Sequence, residues 1–109
     1  MTRSGADSSS NVSSNSAQIQ LDLSYPAFQK ELFSLDANEI KKLFKTFAKL
    51  SKMSWDQLFT DHGLNWEEIK SQTGRYTVRV SLQYRAVVVR ETGFMRFQTL
   101  VTDHDRAYK

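Results

Sequence analysis

The sequence predicts an α+β fold in which helices pack on one face of a small antiparallel sheet. Residues 18–60 place apolar side chains first at the spacing of a strand and then at the spacing of helices. Residues 75–102 instead contain strand-like runs that are separated by turns. Helices followed by hairpin-connected strands are typical of the α+β class.

The composition predicts a single folded domain behind a polar tail. Residues 1–17 contain seven serines and few apolar residues, so we expect a disordered Ser-rich tail there and one domain over residues 18–109. The chain has no cysteine, which excludes disulfides and cysteine nucleophiles. It also has no apolar run of the length that spans a bilayer. We therefore expect a cytoplasmic protein that does not contact membranes.

The first elements are a strand and a short helix. Apolar and polar residues alternate through residues 18–24, which is the pattern of a half-buried strand. Pro26 then stands where the first turn of a helix tolerates proline, and the apolar residues after it follow helical spacing. This pattern predicts a helix over residues 26–34.

The clearest helix covers residues 36–52. Asp36 and Glu39 form a capping signature at its start. Its apolar stripe consists of Ile40, Leu43, Phe44, Phe47 and Leu50. Its lysines, with Glu39 among them, are interpreted as a solvated face. Ser54 and Gln57 repeat the capping signature and predict a short helical segment over residues 55–61.

Three strands are predicted to complete the sheet. The first covers residues 75–80 and the second residues 84–90, with a tight turn near Leu82 and Gln83. A second turn at residues 91–93 leads into a third strand over residues 94–102.

Positive charge is concentrated in this last third of the chain. Residues 75–109 carry six arginines and one lysine against three acidic residues, a formal charge of +4, whereas the first 74 residues carry −1. Alternation along a strand puts Arg75, Thr77 and Arg79 on one face, and Arg85 can join them across the hairpin. An arginine-rich face is suited to a phosphate-bearing partner. A solvated strand face remains the alternative.

No metal or cofactor is expected from the sequence. His62 and His104 lie in different segments without the paired spacing of metal ligands. Phosphate-binding and hydrolase motifs are absent as well.

Residues 74–108 resemble the C-terminal half of the RelE superfamily of bacterial toxins. The shared features are a strand of alternating basic and apolar residues, an aromatic–arginine pair at the start of the next strand, a glycine-containing turn, an apolar last strand, and a polar tail ending in tyrosine. The preceding strand and helices match the element order of that superfamily. The resemblance implies a RelE-like fold.

The resemblance also implies a chemistry. Ribonuclease members of this superfamily cleave messenger RNA in the ribosomal A site with the RNA's own 2′-hydroxyl as the nucleophile. On the matching positions, Arg85 would clamp the scissile phosphate, Arg79 would lie beside it, and Arg106 would add a contact from the tail. His104 and Tyr108 would transfer protons, with the acid and the base left unassigned. Tyr108 could instead stack on a base.

The remaining basic positions are assigned to RNA binding by the same resemblance, through contacts that do not read sequence. These candidate RNA-binding residues are Arg75, Thr77, Arg90, Arg96 and Lys109. Thr77 departs from the lysine that many relatives carry, and Asp103 and Asp105 flank His104. These departures leave room for a protein that binds without cutting.

The function predicted from the sequence is thus a toxin of a type II toxin–antitoxin system. It would be a metal-independent, ribosome-dependent mRNA endoribonuclease whose partners are an antitoxin, the ribosome and mRNA. Two alternatives stay open: a non-catalytic module that binds nucleic acid or protein, and a ParE-like inhibitor of DNA gyrase. The oligomeric state is not predicted.

Overall fold

A computed structural model describes residues 14–102 of the chain. Its elements in chain order are a 3-10 turn Ser14–Ser16, β1 (Gln20–Asp22), α1 (Pro26–Phe33), α2 (Ala37–Leu50), α3 (Trp55–Thr60), β2 (Glu67–Glu68), β3 (Arg75–Arg79), β4 (Tyr84–Glu91) and β5 (Phe94–Thr102). The predicted Ser-rich tail is therefore described only from Ser14 onward. None of the helices that the structure describes could span a membrane.

The strands form one five-stranded sheet in the order β1-β5-β4-β3-β2. The pairs β2–β3, β3–β4 and β4–β5 are antiparallel, whereas β1 runs parallel to β5. The predicted α+β class, with helices packed on a mostly antiparallel sheet, is confirmed. Two features were not predicted: the parallel pairing of β1, and β2, whose two glutamates show no alternation.

The helix caps form as the sequence predicts. The carboxylate of Asp36 accepts a hydrogen bond from the Glu39 backbone amide at 2.9 Å. Ser54 and Gln57 form a reciprocal capping box at the start of α3. Such a cap stabilises a helix by about 1 kcal/mol.

The core lies between the helices and one face of the sheet. Its centre is a cluster of rings in which Phe28 and Phe47 each lie 5.3 Å from Phe97, measured between ring centroids. Burying each such side chain stabilises the fold by about 2 to 3 kcal/mol. The other fully buried large side chains of this core are Leu43, Leu50, Trp55, Leu58, Val78, Val80, Val88 and Met95.

Glu39 corrects one prediction. The sequence placed it on the solvated face of α2, but only 6% of it is exposed. It lies one helical turn before Leu43 and two before Phe47, so helical spacing puts it on the buried stripe. The lysines of α2 are exposed as predicted.

Both hairpin turns have local explanations. Thr92 and Gly93, between β4 and β5, have φ angles of +45° and +84°, the two positive values that a type I′ turn requires. The β3–β4 connection has no glycine because the Ser81 hydroxyl accepts hydrogen bonds from the backbone amides of Gln83 and Tyr84.

Candidate functional site

The candidate site lies on the sheet face that points away from the helices. In the β3–β4 pairing, Arg79 is directly opposite Arg85, and Thr77 is opposite Val87. Directly opposed residues of an antiparallel pair share a face. The predicted grouping of Arg75, Thr77, Arg79 and Arg85 on one face is therefore confirmed. Val78 and Ala86, the neighbouring pair, point into the core.

Two arginines in direct opposition are unfavourable for the sheet. Their Cβ atoms are about 5 Å apart in such a pair, and like charges at that distance destabilise the pairing. Arg79 is half-buried and Arg85 is buried, so water does not fully screen the repulsion. The arrangement concentrates positive charge at one place on this face, where an anion is stabilised.

Arg85 is held by groups from two neighbouring segments. Only 3% of its side chain is exposed. Its Nη2 atom donates to the backbone carbonyl of Asn65 at 2.8 Å and to the hydroxyl of Thr77. A carboxylate oxygen of Glu67 lies 3.9 Å from the same nitrogen. Thr77, predicted to bind RNA, is itself only 1% exposed and contacts Arg85 instead.

The loop between α3 and β2 supplies the Asn65 carbonyl. Asn65 has a φ of +47°, in the left-handed region that asparagine tolerates better than most residues. The Asp61 carboxylate accepts from the Leu64 amide at 3.0 Å and lies 3.0 Å from Lys49 Nζ. The hydrogen bond from Lys49 is the main reason that the pKa of Asp61 is lowered. The Leu64 carbonyl in turn accepts from the Arg79 amide at 2.7 Å, so this loop contacts both strands of the site.

Two predicted RNA-binding arginines share this face. Arg75 is exposed at the start of β3. Arg96, opposite Val89, is 51% exposed and forms ion pairs with Asp22 at 3.3 Å and Glu91 at 3.2 Å. The two carboxylates offset the charge of Arg96.

Arg90 lies on the opposite face. It is directly across from the core residue Met95, and its guanidinium carbon lies 4.0 Å above the ring of Trp55. Its Nη2 donates to Asn15 at 2.7 Å. The structure therefore does not bring Arg90 together with Arg79 and Arg85.

The predicted tail residues are outside the described range: His104, Arg106, Tyr108 and Lys109 all follow Thr102. Two residues that the sequence did not single out lie near the site. Glu67, 44% exposed, faces the arginines because it pairs with Thr77. His62 lines a cavity of about 210 Å³ together with Asn65. Within residues 14–102, histidine and acidic side chains do not cluster in a way that could hold a metal ion.

Comparison with known proteins identifies the fold. No family model matches the chain, and no curated protein matches it. A chain of the crystal structure of the E. coli DinJ-YafQ toxin-antitoxin complex is similar to it, with a TM-score of 0.51 at 15% sequence identity. The match covers 81% of this chain and 96% of that chain. This protein therefore has the RelE-like α+β fold that its C-terminal sequence predicts.

Proposed function

We propose that this protein is a toxin of a type II toxin–antitoxin system and acts as a ribosome-dependent mRNA endoribonuclease. The observation that supports it is the direct opposition of Arg79 and Arg85 on the sheet face that points away from the helices. This pairing costs stability in the sheet. Arrangements that lower the stability of the fold in this way are expected at functional sites. A bound phosphate would offset the repulsion between the two guanidinium groups.

The proposed reaction is a transfer of the phosphoryl group within the RNA. The 2′-oxygen loses its proton to a base and attacks the adjacent phosphorus, and the bond to the 5′-oxygen breaks as an acid protonates that oxygen. Arg79 and Arg85 stabilise the negative charge that accumulates on the phosphate. The reaction needs no metal if arginines supply that charge.

Three parts of the chain offer candidate proton-transfer groups. His104 and Tyr108, together with Arg106, remain the proposal for the tail. The last strand, which precedes the tail in the chain, contacts the site because Val101 pairs with Arg85. Glu67 is a further candidate base, since its carboxylate is exposed and lies on the same face as Arg79. His62 is a further candidate, because it is exposed and lines a cavity together with Asn65.

Contacts with the RNA backbone are assigned by exposure. Arg75 is the leading candidate because it is exposed on the same face as Arg79. Arg96 contributes less, since Asp22 and Glu91 offset its charge. Lys109 remains a proposal for the tail.

The proposed protein partner is an antitoxin that covers the arginine face or wraps the helices. The similar chain comes from a toxin-antitoxin complex. Large apolar side chains are exposed on the helices of this protein, with Phe33 63% and Phe44 50% exposed. Exposed aromatic groups of this kind are common where a protein binds a partner. The proposed partner and mRNA target predict that the protein acts in the cytoplasm.

The test is induction in bacteria with growth and message integrity as readouts. Wild type is expected to arrest growth and fragment messages, and Arg79→Ala is expected to do neither. Lys45→Ala is the matched control, because it removes one positive charge from the exposed face of α2. Absence of arrest by the wild type would overturn the proposal.

One observation favours a second candidate function. Arg85 is buried and donates both Nη2 hydrogens to protein oxygens, an arrangement that also suits a module that binds nucleic acid without cutting. Growth arrest with intact messages would support this second candidate or the inhibition of gyrase. A gyrase assay with supercoiled DNA separates the two.

A further inference from the structure

The hydrogen bonds of Arg85 restrict how it can meet a phosphate. A guanidinium group grips a phosphate bidentately through Nη2 together with either Nε or Nη1. In this protein one Nη2 hydrogen is donated to the Asn65 carbonyl and the other to the Thr77 hydroxyl. While those two hydrogen bonds persist, Arg85 cannot bind a phosphate bidentately in either way. With 3% of the side chain exposed, Arg85 is also poorly placed to meet a ligand directly.

We propose, resting on the function proposed above, that Thr77 is a positioning residue that fixes Arg85 as a stationary positive charge beside a phosphate bound by Arg79. The roles of the two arginines are then divided. Arg79 is half-buried and lies directly opposite Arg85. Arg79 can therefore contact the ligand, while Arg85 acts through its charge without contacting the ligand. Thr77 does not touch RNA in this arrangement, because it is 1% exposed.

The charge of Arg85 is effective because it is fixed and shielded from water. Charges held in place before the reaction cost no reorganisation when negative charge develops on the phosphate. A buried charge also interacts more strongly across a few ångströms than an exposed one. The hydroxyl of Thr77 and the carbonyl of Asn65 are neutral acceptors, so they orient the guanidinium without adding negative charge beside it. The Glu67 carboxylate, 3.9 Å from Nη2, offsets part of that charge.

The second acceptor is built into the loop before β2. Asn65 has a positive φ and its carbonyl accepts from Arg85, and the adjacent Leu64 carbonyl accepts from the Arg79 amide. Asp61 holds this loop through the Leu64 amide. One short loop thus fixes both the backbone of Arg79 and the guanidinium group of Arg85.

The decisive experiment is NMR of the arginine side chains in full-length protein. Slow solvent exchange of the Arg85 Nη2 hydrogens is expected in wild type and in Thr77→Ser, which keeps the hydroxyl. Fast exchange is expected in Thr77→Val. Thr99→Val is the matched control, because it makes the same change at a hydroxyl that donates to Glu31. Inorganic phosphate is expected to shift the Arg79 signals while the Arg85 Nη2 bonds persist.

Message cleavage adds a functional readout. Thr77→Val is expected to reduce the cleavage rate by about tenfold through misplacement of Arg85, and Thr77→Ser is expected to restore it. Cleavage unchanged in Thr77→Val would overturn the positioning role. If the wild type cleaves no message, the proposed function fails, and the NMR results still decide whether Thr77 positions Arg85.

Three NMR outcomes would overturn the inference. The first is solvent exchange of the Arg85 Nη2 hydrogens that is the same in Thr77→Val as in wild type. The second is that inorganic phosphate shifts the NMR signals of Arg85 alone, or those of neither arginine. The third applies if Thr77→Val does not fold. Fast exchange of the Arg85 Nη2 hydrogens in the wild type is then sufficient to reject the inference. Slow exchange in the wild type that becomes fast in Thr77→Ala supports the inference.

Discussion

Replacing Arg85 by methionine is expected to lower stability through the Thr77 hydroxyl that it leaves behind. That hydroxyl is 1% exposed and loses its charged donor. An unsatisfied buried polar group costs about 1 to 3 kcal/mol. The Asn65 carbonyl adds less, because Asn65 is an exposed residue and water can replace the lost donor. We therefore expect Arg85→Met to lower the free energy of unfolding by about 2 kcal/mol, which is about 10 °C in Tm for a domain of this size.

A double-mutant cycle tests the cause. Thr77→Val alone leaves the Nη2 donor of Arg85 short of one acceptor and is also destabilising. Combining it with Arg85→Met removes donor and acceptor together, so the double variant should be more stable than the sum of the single changes predicts, by about 1 kcal/mol. The matched control Arg79→Met changes a half-buried arginine on the same face and is expected to cost less than Arg85→Met. Urea unfolding measures all five proteins, and additive effects of Thr77→Val and Arg85→Met would refute the reasoning.

Further changes give separate expectations. Thr92→Asn is expected to raise stability by about 0.5 to 1 kcal/mol, because a β-branched residue is strained at positive φ and asparagine is favoured there; an unchanged urea midpoint would contradict this. Asp61→Asn removes a carboxylate whose pKa is lowered chiefly by Lys49. The stabilisation from a lowered pKa is present above the pKa of the unfolded chain and is lost as the pH falls through the folded pKa. The variant should therefore be less stable at pH 7 and show a weaker loss of stability in acid, which urea unfolding at several pH values checks. Arg90→Leu removes the contact with Trp55 and should lower stability by about 1 kcal/mol. It should leave the salt dependence of RNA binding unchanged, whereas Arg75→Ala should reduce the slope.

The strands and their faces could be predicted because alternation is a local property. Tyr76 and Val78 alternate with Thr77 and Arg79, and a period of two fixes which residues share a face. The same reasoning separates Arg85 from Arg90, since residues five apart on one strand point to opposite faces. Applying that rule to Arg90 would have placed it on the core side from the sequence alone.

The contacts that hold the site could not be predicted from local patterns. Arg85 is held by the carbonyl of Asn65, 20 residues away in sequence, and Arg96 pairs with Asp22 through the parallel β1–β5 contact. These contacts depend on tertiary packing. Glu67 was missed because a two-residue edge strand has too few positions to show a period.

The burial of Glu39 shows how a familiar motif can mislead. The capping signature correctly located the start of α2, since Asp36 accepts from the Glu39 amide. The same signature suggested an exposed glutamate, but the stripe that includes Leu43 and Phe47 carries Glu39 into the protein. Helical spacing was the better guide to its burial than residue type.

The chemistry of the RNA ends tests the central proposal most directly. The purified wild-type protein is added to a translating extract, and the ends of the cleaved message are identified. Attack by the 2′-oxygen at an arginine-stabilised phosphate predicts a 2′,3′-cyclic phosphate on one fragment and a 5′-hydroxyl on the other, with both absent when Arg79→Ala is used. Fragments that carry 5′-phosphate ends, or a message that stays intact with the wild type, would contradict it.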